Sequence, residues 1–465
     1  MSHDELKPNW LVEPTDNNEL TERIWPADAH RDSDGEVVLG GVPVSDLTAQ
    51  FGTPLYVVDE IEFVRSAKEV KTALESAALS IGTEATVYYA GKAFLCTEVV
   101  RWVNQLGLNV DVASGGELAV ALAAGIDAKR IGLHGNNKSA AEIGRAVSAG
   151  VGAIVIDSEI EIERIAATAG AQGRVQPVRI RANIGIHADT HEFLATARED
   201  QKFGIAMEDV PGLVEKIRKH SHLEFLGLHS HIGSQIFGTS GFVEAGKRLI
   251  GLHAQLLQGG PVPQLNLGGG FGINYNVGDN APAISDMASQ ICRAIAEACA
   301  AEGIEVPKLA FEPGRAIVGR SGVTLYNVGT IKDVKLSDGH VRKYVSVDGG
   351  MSDNARPALY EAEYSTRLVS RVSEAKPALV RVVGKHCESG DIVVRHDYLP
   401  GDVAIGDTIA VAATGAYCFS LASNYNYLQR PPVVAVADGK ARLIVRGETE
   451  ADLLSRDVGI QKDEK

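Results

Sequence analysis

Short runs of β-branched and other apolar residues alternate with Ala-rich helical segments over the middle of the chain. Eight such runs occur, each followed by a turn: TVYYAG (86–91), LNVDVA (108–113), RIGLHG (130–135), AIVIDS (153–158), VRIRANI (178–184), LGLHSHI (226–232), QLNLGG (264–269) and KLAFEP (308–313). Parallel neighbouring strands require a crossover of about a dozen or more residues, which the helical segments supply. The pattern predicts an α/β fold with a (β/α)8 TIM-like barrel over residues 59–319.

After about residue 320 the pattern changes to strands without helices between them, for example VTLYNVGTIKDVK and DIVVRHDYL. Such a run predicts a second, mainly antiparallel β domain of sandwich-like or barrel-like form. We expect residues 36–58, which hold short strands around a small helix, to join residues 320–448 in this domain. Asp59 with Glu62 three residues later predicts the start of a helix. Residues 1–35 are expected to form a polar arm on the surface, and residues 449–465 a tail.

Composition and charge exclude several classes of function. The 465 residues carry a formal net charge of −15, whereas nucleic-acid binding needs a clustered basic face, so we expect no nucleic-acid partner. No run of about 18 apolar residues occurs, and the N-terminus lacks a basic and then apolar leader, so we expect no membrane partner and a cytoplasmic protein. The five cysteines are scattered without a C-x-x-C pair, which argues against a disulfide framework and a zinc knuckle.

Residues that carry chemistry follow the carboxyl ends of several predicted strands, which is the end where barrel active sites lie. A lysine there can form a Schiff base, a run of glycines offers backbone N–H groups to an anion, and a carboxylate can keep a pyridine nitrogen protonated. Taken singly, each has an ordinary explanation as a solvent-facing lysine, a tight turn, an ion-pair partner or a core histidine. Together they indicate one site at the barrel mouth. The residues are Lys92, His231, Gly268, Gly269, Gly270 and Glu312.

Nine motifs, in order, make the chain resemble the fold-type III pyridoxal-phosphate decarboxylases over roughly residues 40–430. The motifs are YYAGKAF, DVASGGEL, HGNNKS, GLHSHIGSQ, NLGGGFG, FEPGR, RPALY, GKHCESGD and ATGAY. Within that family the sequence looks most like the diaminopimelate decarboxylases. The resemblance implies pyridoxal 5'-phosphate as the cofactor and decarboxylation of meso-2,6-diaminopimelate to L-lysine and CO2, the last step of lysine biosynthesis.

The resemblance also implies roles for individual residues. Lys92 would bind the cofactor as a Schiff base, His231 would stack on its ring, and Glu312 would pair with its nitrogen. Cys387 would return a proton to the α-carbon, with Lys92 and water as rivals. The remaining cofactor contacts would be Ser234, Gly268, Gly269, Gly270, Arg315 and Tyr417, and the substrate contacts Arg315, Arg356, Tyr360, Glu388 and Tyr417. In this family Cys387 and Glu388 enter the site of the neighbouring subunit, which implies a homodimer with shared active sites.

Specificity is expected at the far end of the small diamino acid substrate. Arg315 and Arg356 suit its second carboxylate and Glu388 its second amine. Each charge-assisted hydrogen bond contributes about 1.5–3 kcal/mol, so lysine and ornithine should be poor substrates.

Several other activities remain as alternatives. An ornithine or arginine decarboxylase of the same fold is the nearest of them. A metal-dependent barrel hydrolase is a remote one, suggested by His229 and His231 and by His187 and His191, although we assign no metal site. Glu312 argues against an alanine racemase, which places an arginine at the pyridine nitrogen. The presence of both Lys92 and Cys387 argues against an inactive regulatory homologue.

Overall fold

A computed structural model of the chain describes residues 6–186, 202–336, 339 and 341–460. The chain forms two compact units. Unit 1 comprises Met1–Phe63, Ile273–Asn280 and Val318–Lys465, and unit 2 comprises Val64–Gly272 and Ala281–Ile317. The sequence predicts a barrel over residues 59–319, which includes Ile273–Asn280, and treats residues 1–35 and 449–465 as separate segments, whereas unit 1 includes Ile273–Asn280 and both of these terminal segments. Unit 1 is therefore built from three stretches of chain.

The N-terminal arm belongs to unit 1 and is anchored by buried side chains. Ile24 and Trp25 are 1% and 2% exposed, and the carbonyl oxygen of Trp25 accepts a hydrogen bond from Arg320 Nε at 2.6 Å. The sequence predicts a polar surface arm, whereas these two apolar residues pack inside the unit. The elements that follow are β1 (His30–Arg31), β2 (Val37–Leu39), β3 (Val42–Pro43), α1 (Val44–Phe51) and β4 (Leu55–Asp59).

Helix α2 (Glu60–Ser80) begins at the predicted position. Asp59 Oδ1 accepts the backbone N–H of Glu62 at 2.9 Å, which satisfies one of the donors left open at a helix N-terminus. The two residues do not form a capping box, because the Glu62 carboxylate accepts the N–H of Ala27 at 2.9 Å and the N–H of Asp59 donates to the carbonyl oxygen of Ser321 at 2.8 Å. Glu62 thereby ties the arm to the start of the helix.

Unit 2 contains a closed barrel of parallel strands, as the sequence predicts. Each of the eight predicted runs overlaps one barrel strand, and the eighth strand pairs with the first. The strands are β5 (Ala85–Ala90), β6 (Asn109–Val112), β7 (Ile131–Leu133), β8 (Ala153–Ile156), β9 (Gln176–Asn183), the short β10 (Ile205–Ala206) beside β9, β11 (Leu223–His229), β12 (Gln264–Asn266) and β13 (Lys308–Phe311). All four residues of β8 are buried, because side chains on both faces of such a sheet are covered.

The helices of this part of the chain lie between consecutive strands. They are α3 (Thr97–Gln105), α4 (Gly115–Ala123), α5 (Ala140–Ala149), α6 (Glu159–Ala171), α7 (Val210–Lys219), α8 (Ser240–Leu257), α9 (Ile284–Glu302) and α10 (Arg315–Val318). Helix α5 shows why such segments start and stop where they do. Ser139 and Glu142 form a capping box at its start, and Gly150 ends it with a φ of 74°, which glycine adopts without a steric penalty.

The remaining strands of unit 1 form a mainly antiparallel sheet, accompanied by short helices, which agrees with the predicted fold class. They are β14 (Gly322–Lys335), β15 (Val341–Val347), α11 (Arg356–Tyr360), β16 (Thr366–Leu368), β17 (Pro377–Val383), β18 (Ile392–Pro400), β19 (Thr408–Ala412), β20 (Val433–Ala437), β21 (Lys440–Val445) and α12 (Glu450–Leu454). Strand β4 joins this sheet between β14 and β20. Two pairings, β15 with β17 and β20 with β4, are parallel, so the sheet is mixed.

Two further features bear on function. All five cysteines carry free thiols, with Cys387 exposed and the other four buried. Among the residues that the structure describes, no helix combines the length and apolar character needed to cross a bilayer.

Candidate active site

A cavity of about 150 Å³ lies at the carboxyl ends of the barrel strands of unit 2. Lys92, His231 and Glu312, which the sequence predicts to share a site, all line it. The full set of lining residues is Ala90, Gly91, Lys92, Asp111, Val112, Ala113, His134, Gly135, Arg181, Phe203, His229, His231 and Glu312. An amine, two carboxylates and three imidazoles therefore surround one small space.

Lys92 lies in a short 3-10 turn, Gly91–Ala93, which follows β5 directly. The buried hydroxyl of Tyr89 donates to the carbonyl oxygen of Phe94 at 2.7 Å, which closes the turn. A Cβ atom on Gly91 would lie 2.8 Å from the carbonyl oxygen of Asp111, so glycine lets the turn pack closely on β6. The Lys92 side chain is exposed and lines the cavity. Its amine is accessible to a ligand.

Three side-chain nitrogens lie close to the carboxylate of Glu312. Asn266 Nδ2 donates to Oε1 at 2.6 Å, and His229 Nε2 lies 3.1 Å from Oε2. His134 Nε2 lies 3.3 Å from Oε1. The backbone N–H of Glu312 donates to the carbonyl oxygen of Gly268 at 2.9 Å. The position of this carboxylate is thus determined from several directions.

The charges of the buried acids at this site follow from their neighbours. Burial favours a protonated carboxyl group, yet the hydrogen bond from His229 and the positive charge of His134 hold the pKa of Glu312 well below its ordinary value. Burial lowers the pKa of His134, but Glu312 and Asp111 outweigh it and raise that pKa to about 9. Burial and the charge of Glu312 raise the pKa of Asp111 to about 7. At neutral pH, Glu312 is an anion and His134 is a cation.

The glycines after β12 are packed too closely to carry side chains. A Cβ atom would lie 2.6 Å from the carbonyl oxygen of Ser230 at Gly268, 2.1 Å from that of Glu312 at Gly269 and 2.4 Å from that of Gly233 at Gly270. Gly268 and Gly270 also have positive φ angles of 67° and 114°, which favour glycine. The segment is therefore bare backbone beside the ends of β11 and β13, where an anion can approach it closely.

His229 and His231 play different structural parts. His229 ends β11 and is fully buried against Glu312. His231 lies two residues beyond, and its Nδ1 accepts the N–H of Gly269 at 3.2 Å, so the proton of the neutral ring lies on Nε2. Burial, reinforced by Lys92, holds the pKa of His231 well below its ordinary value. A neutral imidazole therefore lines the cavity beside the glycine run.

Ser234 and Arg315 lie next to each other near the glycine run. Arg315 Nη2 donates to Ser234 Oγ at 2.7 Å, and the Arg315 side chain is buried. Arg315 is at the first residue of α10, directly after the Glu-Pro-Gly segment that leaves β13. The structure therefore brings a cation and a hydroxyl to the same part of unit 2 as the glycines.

The other predicted residues lie in unit 1. Arg356 begins α11, is buried and donates to the hydroxyl of Tyr364, with its guanidinium 4.6 Å from the ring centre of Tyr275. Tyr360 ends the same helix and is half-buried. Tyr417 is half-buried and has a φ of 65°. Cys387 and Glu388 are both exposed, between β17 and β18.

Some cavity residues are not among the site residues predicted from the sequence. Asp111 and His134 lie within predicted strand runs but carry no predicted role, and Arg181 and Phe203 are not singled out at all. Asn266, which contacts Glu312, is not singled out either. A usable signal exists for Asn266, which lies two residues before the glycine run. His187 and His191, the second pair behind the metal-site alternative, fall outside the described residues.

Comparison with known proteins assigns the family. Residues 63–319 match the family described as pyridoxal-dependent decarboxylase, pyridoxal binding domain. The chain belongs to the pyridoxal-dependent decarboxylases. The diaminopimelate decarboxylase of Mycobacterium tuberculosis is 50% identical over 447 residues, which cover 94% of this chain and 98% of that protein. The diaminopimelate decarboxylase of Staphylococcus aureus is 43% identical over 425 residues, covering 91% of this chain and 98% of that protein.

Solved structures of similar decarboxylases agree with this assignment. The crystal structure of the M. jannaschii diaminopimelate decarboxylase in complex with L-lysine matches with a TM-score of 0.86 and 31% identity. The match covers 94% of this chain and 99% of that one. The cofactor of this pyridoxal-dependent decarboxylase is pyridoxal 5'-phosphate, and the site fits it. The bare glycine backbone suits a phosphate, ionised Glu312 suits a protonated ring nitrogen, and Lys92 supplies an amine.

Proposed function

We propose that this decarboxylase converts meso-2,6-diaminopimelate to L-lysine and CO2, the last step of lysine biosynthesis. The observation that carries the proposal is the placement of Lys92, His231 and Glu312 around one cavity at the barrel mouth. The chain that builds this cavity is 50% identical to the Mycobacterium tuberculosis diaminopimelate decarboxylase over 94% of its length. A small diamino acid is therefore the substrate class.

Several groups of unit 2 would hold the cofactor. The Lys92 amine would bind it as a Schiff base, and His231 would lie against its ring. The backbone of Gly268, Gly269 and Gly270, with Ser234 and Arg315, would bind its phosphate. When bound, pyridoxal phosphate supplies an electron sink for the electron pair left behind by CO2.

Glu312 would bind the ring nitrogen and hold a proton on it. Because Glu312 is ionised before any ligand arrives, a protonated ring nitrogen gains a charge-assisted hydrogen bond of about 1.5–3 kcal/mol. Asn266 and His229 already hold its two oxygens. A carboxylate fixed in this way needs little reorganisation during the reaction.

Residues of unit 1, with Arg315, would bind the substrate and return the proton. Arg315 and Arg356 suit the second carboxylate, Glu388 the second amine, and Tyr360 and Tyr417 complete the contacts. Cys387 is the proposed proton donor to the α-carbon, with Lys92 and water as rivals. Cys387 and Glu388 are exposed, as residues must be if they enter the site of a second copy. We therefore propose a homodimer with shared active sites.

The substrate assignment is tested by CO2 release from purified enzyme with pyridoxal phosphate. Release is expected from meso-diaminopimelate, and little from lysine, ornithine or arginine, because these lack the second carboxylate that Arg315 and Arg356 would bind. Comparable release from ornithine would favour the ornithine-type alternative. The lysine/ornithine decarboxylase of Vibrio vulnificus is 23% identical, with a TM-score of 0.69, which shows the shared fold alone.

The role of Lys92 is tested by borohydride reduction followed by peptide mapping. A phosphopyridoxyl group is expected on Lys92, and the Lys92→Ala variant should carry none. The buried Lys138 serves as an internal comparison, because its amine already donates to Glu161 at 2.9 Å. If wild-type enzyme that was active before reduction yields an unmodified Lys92 peptide, the proposed role of Lys92 is contradicted.

Sharing of sites between subunits is tested by mixing two inactive variants. Lys92→Ala and Cys387→Ala subunits, combined after dissociation, should regain about a quarter of wild-type activity, since about half of the dimers are mixed and one of their two sites is intact. No recovery, with mixed dimers demonstrated by differential tags, would contradict shared sites.

The contacts of the barrel histidines do not favour the metal-dependent alternative. It rests on His229 and His231 as a ligand pair, yet His231 Nδ1 accepts a backbone N–H from Gly269 and His229 lies against Glu312. In a pyridoxal-dependent decarboxylase, the same two histidines line the cofactor cavity.

A further inference from the structure

His134 faces two carboxylates at once. Its Nε2 lies 3.2 Å from Asp111 Oδ1 and 3.3 Å from Glu312 Oε1, and its side chain is 14% exposed. We propose that His134 is a positioning residue that keeps Glu312 ionised and oriented toward the ring nitrogen of the cofactor. The inference rests on the proposed function, because it takes the role of Glu312 from there.

The neighbouring imidazoles do not supply the positive charge that Glu312 needs. Burial lowers the pKa of His229 to about 4, so His229 contacts Glu312 as a neutral ring. His231 is also neutral and is engaged by the N–H of Gly269. His134 is the imidazole that two acids surround, and its raised pKa of about 9 makes it a cation at neutral pH.

The other charged groups that act on this cluster are Lys92, Glu117, Arg179 and Arg181. Two of them are held by partners of their own. Arg179 Nη2 donates to Tyr88 Oη at 3.1 Å and to Gln264 Oε1 at 2.7 Å. Arg181 Nε lies 4.0 Å from Asp157 Oδ1. His134 is the positively charged side chain found in direct contact with both acids among the described residues.

Removing the charge of His134 would leave two buried carboxylates close to one neutral side chain. Burial and the charge of Glu312 already raise the pKa of Asp111. Without the cation between them, the repulsion of the two carboxylates would raise the pKa of one of them further, so that it takes up a proton. A protonated Glu312 could no longer keep the ring nitrogen of the cofactor protonated. Asp111 competes for the same cation, so neutralising Asp111 leaves the charge of His134 to Glu312 alone. The two substitutions should therefore act differently.

The experiment compares His134→Gln with Asp111→Asn in the full chain. Glutamine keeps an N–H donor but carries no charge. Pyridoxal phosphate binding to each apoprotein is measured by equilibrium dialysis, at neutral pH and above the His134 pKa of about 9. The affinity of the wild-type apoprotein for pyridoxal phosphate should fall as the pH rises above that pKa. His134→Gln should bind about ten-fold more weakly at neutral pH, without the pH-dependent loss, whereas Asp111→Asn should keep its neutral-pH affinity.

Wild-type affinity and wild-type pH dependence in His134→Gln would overturn the inference. If that variant does not fold, carbon-13 NMR of histidine in the wild-type and Asp111→Asn apoproteins decides. A histidine pKa well above the ordinary value of 6.5 that falls in Asp111→Asn supports the inference, and the absence of such a histidine overturns it. Failure of the proposed function is distinguishable, because wild type would then still bind pyridoxal phosphate but release no CO2 from meso-diaminopimelate.

Discussion

Replacing Gly269 by alanine should disrupt the cofactor site without unfolding the barrel. The new Cβ atom would lie 2.1 Å from the carbonyl oxygen of Glu312 and 2.8 Å from its carbonyl carbon, where ordinary contact begins at 3.4 Å. The obstacle is backbone, so no side chain can rotate away. The glycine run must move by about 1 Å or more relative to the end of β13, an overpacking that costs about 1–3 kcal/mol.

The displacement reaches two residues proposed to hold the cofactor. The N–H of Gly269 donates to His231 Nδ1 at 3.2 Å, and the clashing carbonyl belongs to Glu312 itself. A misplacement of about 1 Å at a reacting centre can lower a rate by about 10²-fold. We expect Gly269→Ala to lose at least about ten-fold in pyridoxal phosphate affinity and about 10²-fold in kcat/KM, with an unchanged circular dichroism spectrum.

Gly144→Ala is the matched control. Gly144 lies within α5, and a Cβ atom there meets nothing within 4 Å. Alanine should stabilise that helix by about 0.5–1 kcal/mol, with cofactor affinity unchanged. Equilibrium dialysis and urea unfolding of both variants give the comparison. Wild-type affinity in Gly269→Ala would show that the glycine run does not position the cofactor site.

Three further predictions concern stability. Lys138 is 3% exposed, and its Nζ donates to Glu161 Oε2 at 2.9 Å. Lys138→Met should lower the free energy of unfolding, measured with urea, by about 3–5 kcal/mol. The double variant Lys138→Met/Glu161→Leu should lose clearly less, and equal losses would contradict a buried ion pair. Trp25→Ala should cost about 3–5 kcal/mol, whereas Val12→Ala, at a residue 71% exposed, should change stability by less than about 0.5 kcal/mol; similar values would show that the arm is not anchored. Burial raises the pKa of Asp353 to about 7, so the folded protein binds this proton more tightly than the unfolded chain, and the contribution of Asp353 falls as pH rises from 3.8 to about 7. Asp353→Asn should flatten this part of the stability profile, and parallel profiles for variant and wild type would refute the assignment.

The strands of the barrel could be predicted because their signals are local. Apolar runs separated by helical segments of sufficient length identify all eight strands. In the second domain the longer strands are equally predictable from the sequence. Strand β16 spans only Thr366–Leu368, which is too short to show the alternation of apolar and polar residues that is typical of a strand. The segment Ile273–Asn280 also carries no local sign that it belongs to unit 1 rather than to the barrel.

By itself, the sequence determined which residues reach the barrel mouth. Lys92, the glycine run and Glu312 follow strand ends, and closure of parallel strands brings those ends together whatever the details of packing. A second lysine, Lys138, stands in an equally polar motif, and only the fold shows that it is buried in an ion pair with Glu161.

The tertiary structure decided how the acids at that mouth are charged. Asp111, His134 and Asn266 come from three different strands or strand ends, and no local pattern indicates which of their atoms contact Glu312. Strand register and burial determine those distances, and the distances determine the pKa values. Elements and strand ends follow from short-range periodicity, whereas electrostatics depends on neighbours that are distant in the chain.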